Sequence, residues 1–325
     1  MSSSRLGVLF LIVAGVLAST SCGYYNRIMS RKDLVDGSVA YRERKFAEAQ
    51  ELFRRAAARD PEGETTEGKT AQVFLARTLH SQFIGNRQNR DLAEQAITEY
   101  KKALSQNPND QSSYKAVASL LENLQKTDEW QQWVTERSNN PSIEPQFRAE
   151  ALTALAAKQN TCANEISDTD ATKKTVKGPD GKDVYQFVKP ADQAEFDRLK
   201  GCVTTGNEII GKAIALEPAE VKNIKSFDIK SASEEDIRKR MELAKIFESA
   251  RSYHASLTNQ AMRLAEMEGR NEDRDRLKAE ADQYRTNYTE LSQLVREMQA
   301  ELDSRKAAAE AANATNANAN ANAGQ

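Results

Sequence analysis

Small and bulky apolar residues recur along this chain on a helical period. Ala49, Phe53, Ala56 and Pro61 stand 4, 3 and 5 residues apart. Ala96, Tyr100, Ala103 and Pro108 repeat the ladder, and Gly206, Ile210, Ala213 and Pro218 repeat it with glycine in the first slot. A small residue, a bulky one four later and a small one three later share one helix face. The proline beyond ends each helix, because it lacks an N–H and holds its own φ. Helices of this kind cannot bury their apolar stripe alone, so they stack on neighbours into a solenoid.

The pattern divides the chain further. Arg31 to Ala58 reads as two helices, with Gly37, Ala40 and Tyr41 on the first and Phe46, Ala49, Phe53 and Ala56 on the second. A polar turn over 61–69 leads to a helix from Thr70 to Ile84 with Val73, Ala76, Leu79 and Phe83 on one face. After a charged loop at 85–91, Leu92 to Leu104 forms its partner. Tyr114, Val117, Ala118 and Leu121 mark another helix, and Trp130, Trp133 and Val134 the next. A helix from Pro145 and one over Asp192–Leu216 continue the series. Between them, β-branched and aromatic runs flank Gly178-Pro179-Asp180-Gly181, which predicts a β-hairpin within an insertion at about 163–190. Isolated hairpins are marginal in water, so Val184, Tyr185, Phe187 or Val188 is expected to lean on the helices.

The last third changes period. Ser233 and Asp236 form a capping box that opens a helix to about Glu268, where Gly269 stops it. Leu277, Ala281, Tyr284, Tyr288, Leu291, Val295, Met298 and Leu302 then alternate by 4 and 3, a coiled-coil seam. The short link before it favours a hairpin with the preceding helix through Ile246, Ala250, Tyr253, Leu257 and Leu264; a second chain is the alternative. Residues 307–325 are nearly all Ala and Asn and are expected to be disordered.

The ladders resemble the tetratricopeptide repeat (TPR), a helix–turn–helix unit of 34 residues. Gly37, Ala49, Phe53, Ala56 and Pro61 fill one frame well, and Tyr114, Ala118 and Leu121 fill the first helix of another. The resemblance implies an all-α, TPR-like solenoid over 31–222 with the inserted β-hairpin, followed by a long, coiled-coil-like helical hairpin over 223–306. It also implies a non-enzymatic scaffold whose first helices line a groove for a protein or peptide partner. Carried over from the two better frames, the groove residues are Arg31, Leu34, Ser38, Tyr41 and Arg42, then Ser112, Lys115, Ser119, Glu122 and Asn123. Layouts of this type also serve in envelope assembly machines for outer-membrane proteins, pili or the cell wall.

Composition alters the picture at the N-terminus. Arg5 precedes an apolar run from Leu6 to Ala18, and small residues ending in Cys22 follow. Thirteen helical residues cover about 20 Å, short of the roughly 30 Å of a bilayer core, so residues 1–22 read as an export signal and 23–30 as a tether. The ending resembles a bacterial lipoprotein lipobox, although Ser19 stands where leucine is usual. That resemblance implies a lipid anchor on Cys22; plain secretion and an uncleaved anchor are the alternatives. Gly23, not the aspartate that retains such proteins in the inner membrane, points to the periplasmic face of the outer membrane. With Cys22 taken, Cys162 and Cys202 remain, to pair as a disulfide in an oxidising compartment or persist as two buried thiols.

Charge and chemistry mainly exclude. Net charge is −2, from 46 basic and 48 acidic residues mixed along the chain, without the basic stripe of a nucleic-acid binder. Gly206 to Lys212 satisfies the letter of a phosphate loop, yet Ala213 stands where a hydroxyl should reach magnesium and no strand precedes it. The two histidines, His80 and His254, lie in different units, and no nucleophile–base grouping can be nominated. No catalytic residue, metal site or cofactor is expected.

Overall fold

In the computed structural model, the backbone of residues 3–323 and the side chains of residues 23–313 are described. The chain divides into two units, residues 1–133 and 134–325.

The first unit is built of helices α1 (Ser3–Arg42), α2 (Phe46–Ala58), α3 (Thr66–Gly85), α4 (Arg90–Gln106), α5 (Gln111–Asn123) and α6 (Thr127–Asn139), the division falling inside α6. Consecutive helices from α1 to α5 pack together, and α1 also meets α3. The small–bulky–small ladder is the packing device. Ala49, Phe53 and Ala56 on α2, and Ala96, Tyr100 and Ala103 on α4, are all buried. Gly37 fills the small slot of α1 for a direct reason: a Cβ there would lie 2.8 Å from the Phe53 ring. The turns after α1 and after α5 are built alike, with Arg44 (φ 60°) and Gln125 (φ 58°) in the left-handed region. In each, that residue and the next donate amide protons back to the helix, to Tyr41 and Ala40 in one and Glu122 and Leu121 in the other.

Polar side chains fix the entries. The Asp60 carboxylate accepts from the amides of Glu64 (2.9 Å) and Thr65 (2.7 Å) and from the Thr65 hydroxyl. Thr65 in turn caps α3 by accepting from Gly68 N at 3.0 Å. Asp110 caps α5.

The second unit comprises α7 (Pro145–Ser167), strands β1 (Lys173–Lys177) and β2 (Asp183–Phe187), α8 (Gln193–Ala215), the short α9 (Ala219–Lys222), α10 (Glu234–Met267) and α11 (Asn271–Ala323). The strands pair antiparallel, with Val176 opposite Val184 and Lys173 opposite Phe187, around a turn with Gly181 at φ 76°. Phe187 is buried and Val188 half-buried, whereas Val184 and Tyr185 stay exposed. Cys162 on α7 and Cys202 on α8 are joined as a disulfide across a separation of 40 residues.

Ser233 caps α10 as expected, its hydroxyl accepting from Asp236 N at 3.1 Å, and Gly269 ends the turn after it at φ 70°. Helix α11 folds back along α10 within the same chain: Arg251 reaches the Asn287 carbonyl (3.1 Å), and Arg305 reaches the Ile229 and Lys230 carbonyls. On α11 the expected seam is buried at Ala281, Leu291, Val295, Met298 and Leu302, and half-buried at Leu277, Tyr284 and Tyr288.

Four expectations are corrected. Residues 23–30 belong to α1 and are not a tether. Helix α11 continues to Ala323, so the Ala/Asn segment from 307 is helical along its described backbone, as the high helix propensity of alanine favours. The α10 seam is not a single line: Leu257 meets Gly206 of α8, and Leu264 clusters with Ala163, Phe196 and Leu199. For the same reason the division falls at Trp133, not at 222, because α10 packs on α7 and α8 as well as on α11. Cys22 and the signal residues have side chains outside the described set.

Candidate partner-binding groove

Three first helices, α1, α3 and α5, carry polar and aromatic side chains that connect from one helix to the next. On α1, the half-buried Tyr41 hydroxyl meets Ser81 Oγ of α3 at 2.8 Å. The Tyr41 ring stands edge-on to Phe46 (5.4 Å) and Phe74 (6.3 Å). Arg77 of α3 lies over Phe74 at 5.5 Å and donates to Ser112 Oγ of α5 at 3.1 Å. Arg87, just past α3, donates to Asn123 Oδ1 at 2.6 Å. Phe74, Arg77 and Ser81 are spaced by 3 and 4, as are Ser112, Lys115 and Ser119, so each set occupies one face.

The groove residues read from sequence therefore separate. Tyr41 and Ser112 are tied to α3, and Asn123 to Arg87 just past it. Lys115, Ser119 and Glu122 are exposed on α5, where Ser119 O accepts from Asn123 Nδ2 at 2.8 Å. Ser38 is half-buried, and its hydroxyl donates to the Leu34 carbonyl at 2.7 Å. Leu34 leaves the set, since it packs against Ala56, Ala57 and Ala71 in the helix core. Arg31 and Arg42 are exposed on α1.

Sequence reasoning missed Phe74, Arg77, Ser81 and Arg87. The spacing from Pro61 to Pro108 exceeds a repeat by 13 residues, which hid the frame of α3. The signal present was the Phe74, Arg77, Ser81 period itself.

His80 sits 3.4 Å from the Tyr100 hydroxyl; burial, with the Arg87 charge, holds it below the ordinary histidine range. Burial drives the Tyr100 hydroxyl upward. In the second unit a cleft of about 400 Å³ is lined by Ile214, Glu217, Ile224, Arg251, His254, Tyr284 and Leu291, among others. Several of its charged groups pair with one another. Arg251 donates to Glu217 at 3.0 and 2.7 Å, and Lys225 pairs with Glu290 at 2.8 Å. His254 stacks on Tyr284 with ring centres 3.9 Å apart, and burial lowers its pKa against the opposing Glu280 charge. Among the described residues no cluster of His, Cys, Asp and Glu has the form of a metal site. Gly206 to Lys212 lies inside α8, where the amides belong to the helix and Gly206 serves contact: a Cβ would meet Leu257 at 2.6 Å.

The class these features define is an all-α fold of TPR-like helical hairpins with an inserted β-hairpin and a long C-terminal helical hairpin. No protein-family model and no curated protein sequence matches the chain. Solved structures similar to it include pilF of Pseudomonas aeruginosa, 13% identical, covering 82% of this chain and 98% of that one, with a TM-score of 0.30. A tetratricopeptide repeat protein from Parabacteroides merdae is 12% identical over 82% of this chain and 98% of its own, with a TM-score of 0.31. At these values neither likeness adds weight to the helix packing described above.

Proposed function

We propose that this protein is a non-enzymatic scaffold of the bacterial cell envelope that holds a protein or peptide partner on the face shared by α1, α3 and α5. One observation carries the reading: Tyr41–Ser81, Arg77–Ser112 and Arg87–Asn123 link three successive first helices into a continuous polar and aromatic surface. Hydrogen-bonded to one another, these side chains are pre-ordered, which lowers the entropy lost when a partner docks. Anchoring through an acylated Cys22 completes the proposal, with the periplasmic face of the outer membrane as its place. Nucleic acid is not a partner on this reading. Among the described residues, no helix is long and apolar enough to cross a membrane.

Affinity capture from solubilised envelope, comparing the natural chain with Arg77→Glu and Ser119→Arg, tests the groove. The expected outcome is a partner retained by the natural chain and lost from both variants; an identical set on all three would overturn it. A stoichiometric membrane complex in the natural sample would instead assign the chain to an assembly machine. Mass spectrometry of the mature N-terminus tests the anchor, expecting a diacylglyceryl cysteine at Cys22.

A further inference from the structure

Five of the large apolar side chains that the first unit leaves in solvent lie on one helix. Tyr24 is 72% exposed, Tyr25 62%, Ile28 49%, Val35 56% and Val39 39%. At about 100° per residue, all five fall within roughly 60° of the line through Ile28. Arg31, Lys32 and Arg42, also exposed, fall in the same sector. The opposite side carries Ser30, Asp33, Gly37 and Ala40, all buried. From Tyr24 to Arg42 the strip is about 27 Å long. Its acids are few: Asp36 lies at the margin, and Asp33 is turned inward onto Arg55 and Arg59.

We propose that this strip of α1 is a membrane-surface face, lying along a bilayer that contains anionic phospholipid. Tyrosine and aliphatic side chains beside arginine and lysine suit the boundary between headgroups and acyl chains. The rings and aliphatic groups enter it, and the cations stay among the phosphates. Charge decides against a second copy as the occupant. A two-fold contact would bring the Arg31, Lys32 and Arg42 cations of both copies into one interface, with only the marginal Asp36 of each to offset them. A strip 27 Å long and about 10 Å wide also offers only roughly 300 Å², below the ~800 Å² per partner of a standard interface. The strip begins two residues after Cys22, so the inference rests on the anchoring reading for what brings it to the bilayer.

The test uses the full chain in its own envelope, with a photo-crosslinking phenylalanine analogue placed in turn at Ile28, Val35 and Tyr185. Tyr185 is 63% exposed on the hairpin and serves as a control for generic stickiness. Phospholipid adducts are expected at positions 28 and 35, with yields about tenfold above that at 185, the ratio that burial of one such side chain supports. Adding Val39→Asp or Arg31→Glu should reduce the adducts at 28 and 35 while circular dichroism stays unchanged, because both positions are exposed. Protein adducts at 28 and 35, whether to a second copy or to another chain, overturn the inference, and so do yields equal to the control. Acylation of Cys22, measured on the same sample, fails or holds separately. Lipid adducts without acylation would retain the face and discard the anchor.

Discussion

Gly37 and Arg44 show what single positions decide in this protein. Gly37→Ala gains about 1 kcal/mol of helix propensity, but the added methyl meets the fully buried Phe53 ring, and overpacking costs about 1–3 kcal/mol. Net destabilisation of about 1 kcal/mol is expected in urea unfolding. Arg44→Gly should act in the opposite direction. The left-handed turn costs a non-glycine residue about 1–2 kcal/mol, which exceeds the roughly 0.5–1 kcal/mol of extra chain entropy that glycine brings. The slot at Gly37 was legible, since the repeat frame requires a small residue there. The Arg44 and Gln125 turns were not, because neither is the glycine that advertises such backbone. The histidines give a pH dependence. Burial depresses both His80 and His254, so the unfolded chain binds protons more tightly than the folded one. Their contribution to stability is complete above about pH 6.5 and is lost as pH falls from there through the folded values, before carboxylates titrate near 4. His254→Phe, which keeps the ring stack, should flatten part of that slope in unfolding curves taken between pH 7 and 5.

Pairs of helices carry the next level of organisation. The α10–α11 hairpin is tied to the segment after α8 by Glu217 and Arg251, with side chains 6% and 18% exposed, and Arg251 also reaches α11. Glu217→Ala would strand the guanidinium in that site and should lower stability by about 3 kcal/mol in denaturant titration. Glu217→Gln, which keeps an acceptor, should lose less. Helix boundaries were readable because caps and stops are local: Ser233, Gly269 and the prolines mark them. The hairpin was readable from its turn residues, but which of its side chains pack was not. Of the four nominated residues, Phe187 is buried under Arg263 of α10 and Val188 is half-buried, because both lie at the base of the hairpin, whereas Val184 and Tyr185 lie nearer its turn and stay exposed. Leu34, on the apolar stripe of α1, packs on Ala56, Ala57 and Ala71, a neighbour that spacing alone does not show.

Across the whole chain, the two units differ in how they are held. Helix packing and ion pairs such as Asp33 with Arg55 and Arg59 hold residues 31–125, whereas the second unit also has the Cys162–Cys202 bond. Closing a loop of 40 residues contributes about 4 kcal/mol in the chain-entropy model. Reduction should therefore raise amide hydrogen exchange through residues 145–302 and leave 31–125 unchanged. Equal acceleration in both halves would contradict the division at Trp133.

The sequence by itself determined the all-helical class, the pairing rule of small against bulky residues, the inserted hairpin and which two cysteines were left to pair. Each follows from short-range spacing, turn chemistry or a count, and needs no knowledge of distant neighbours. Tertiary structure alone decided that α3 joins the candidate groove, that α10 is buried on two sides, and that one face of α1 stays uncovered. A periodic stripe states which side of a helix avoids water. What comes to lie against that side is settled by contacts between segments far apart in the chain, as between Leu257 and Gly206.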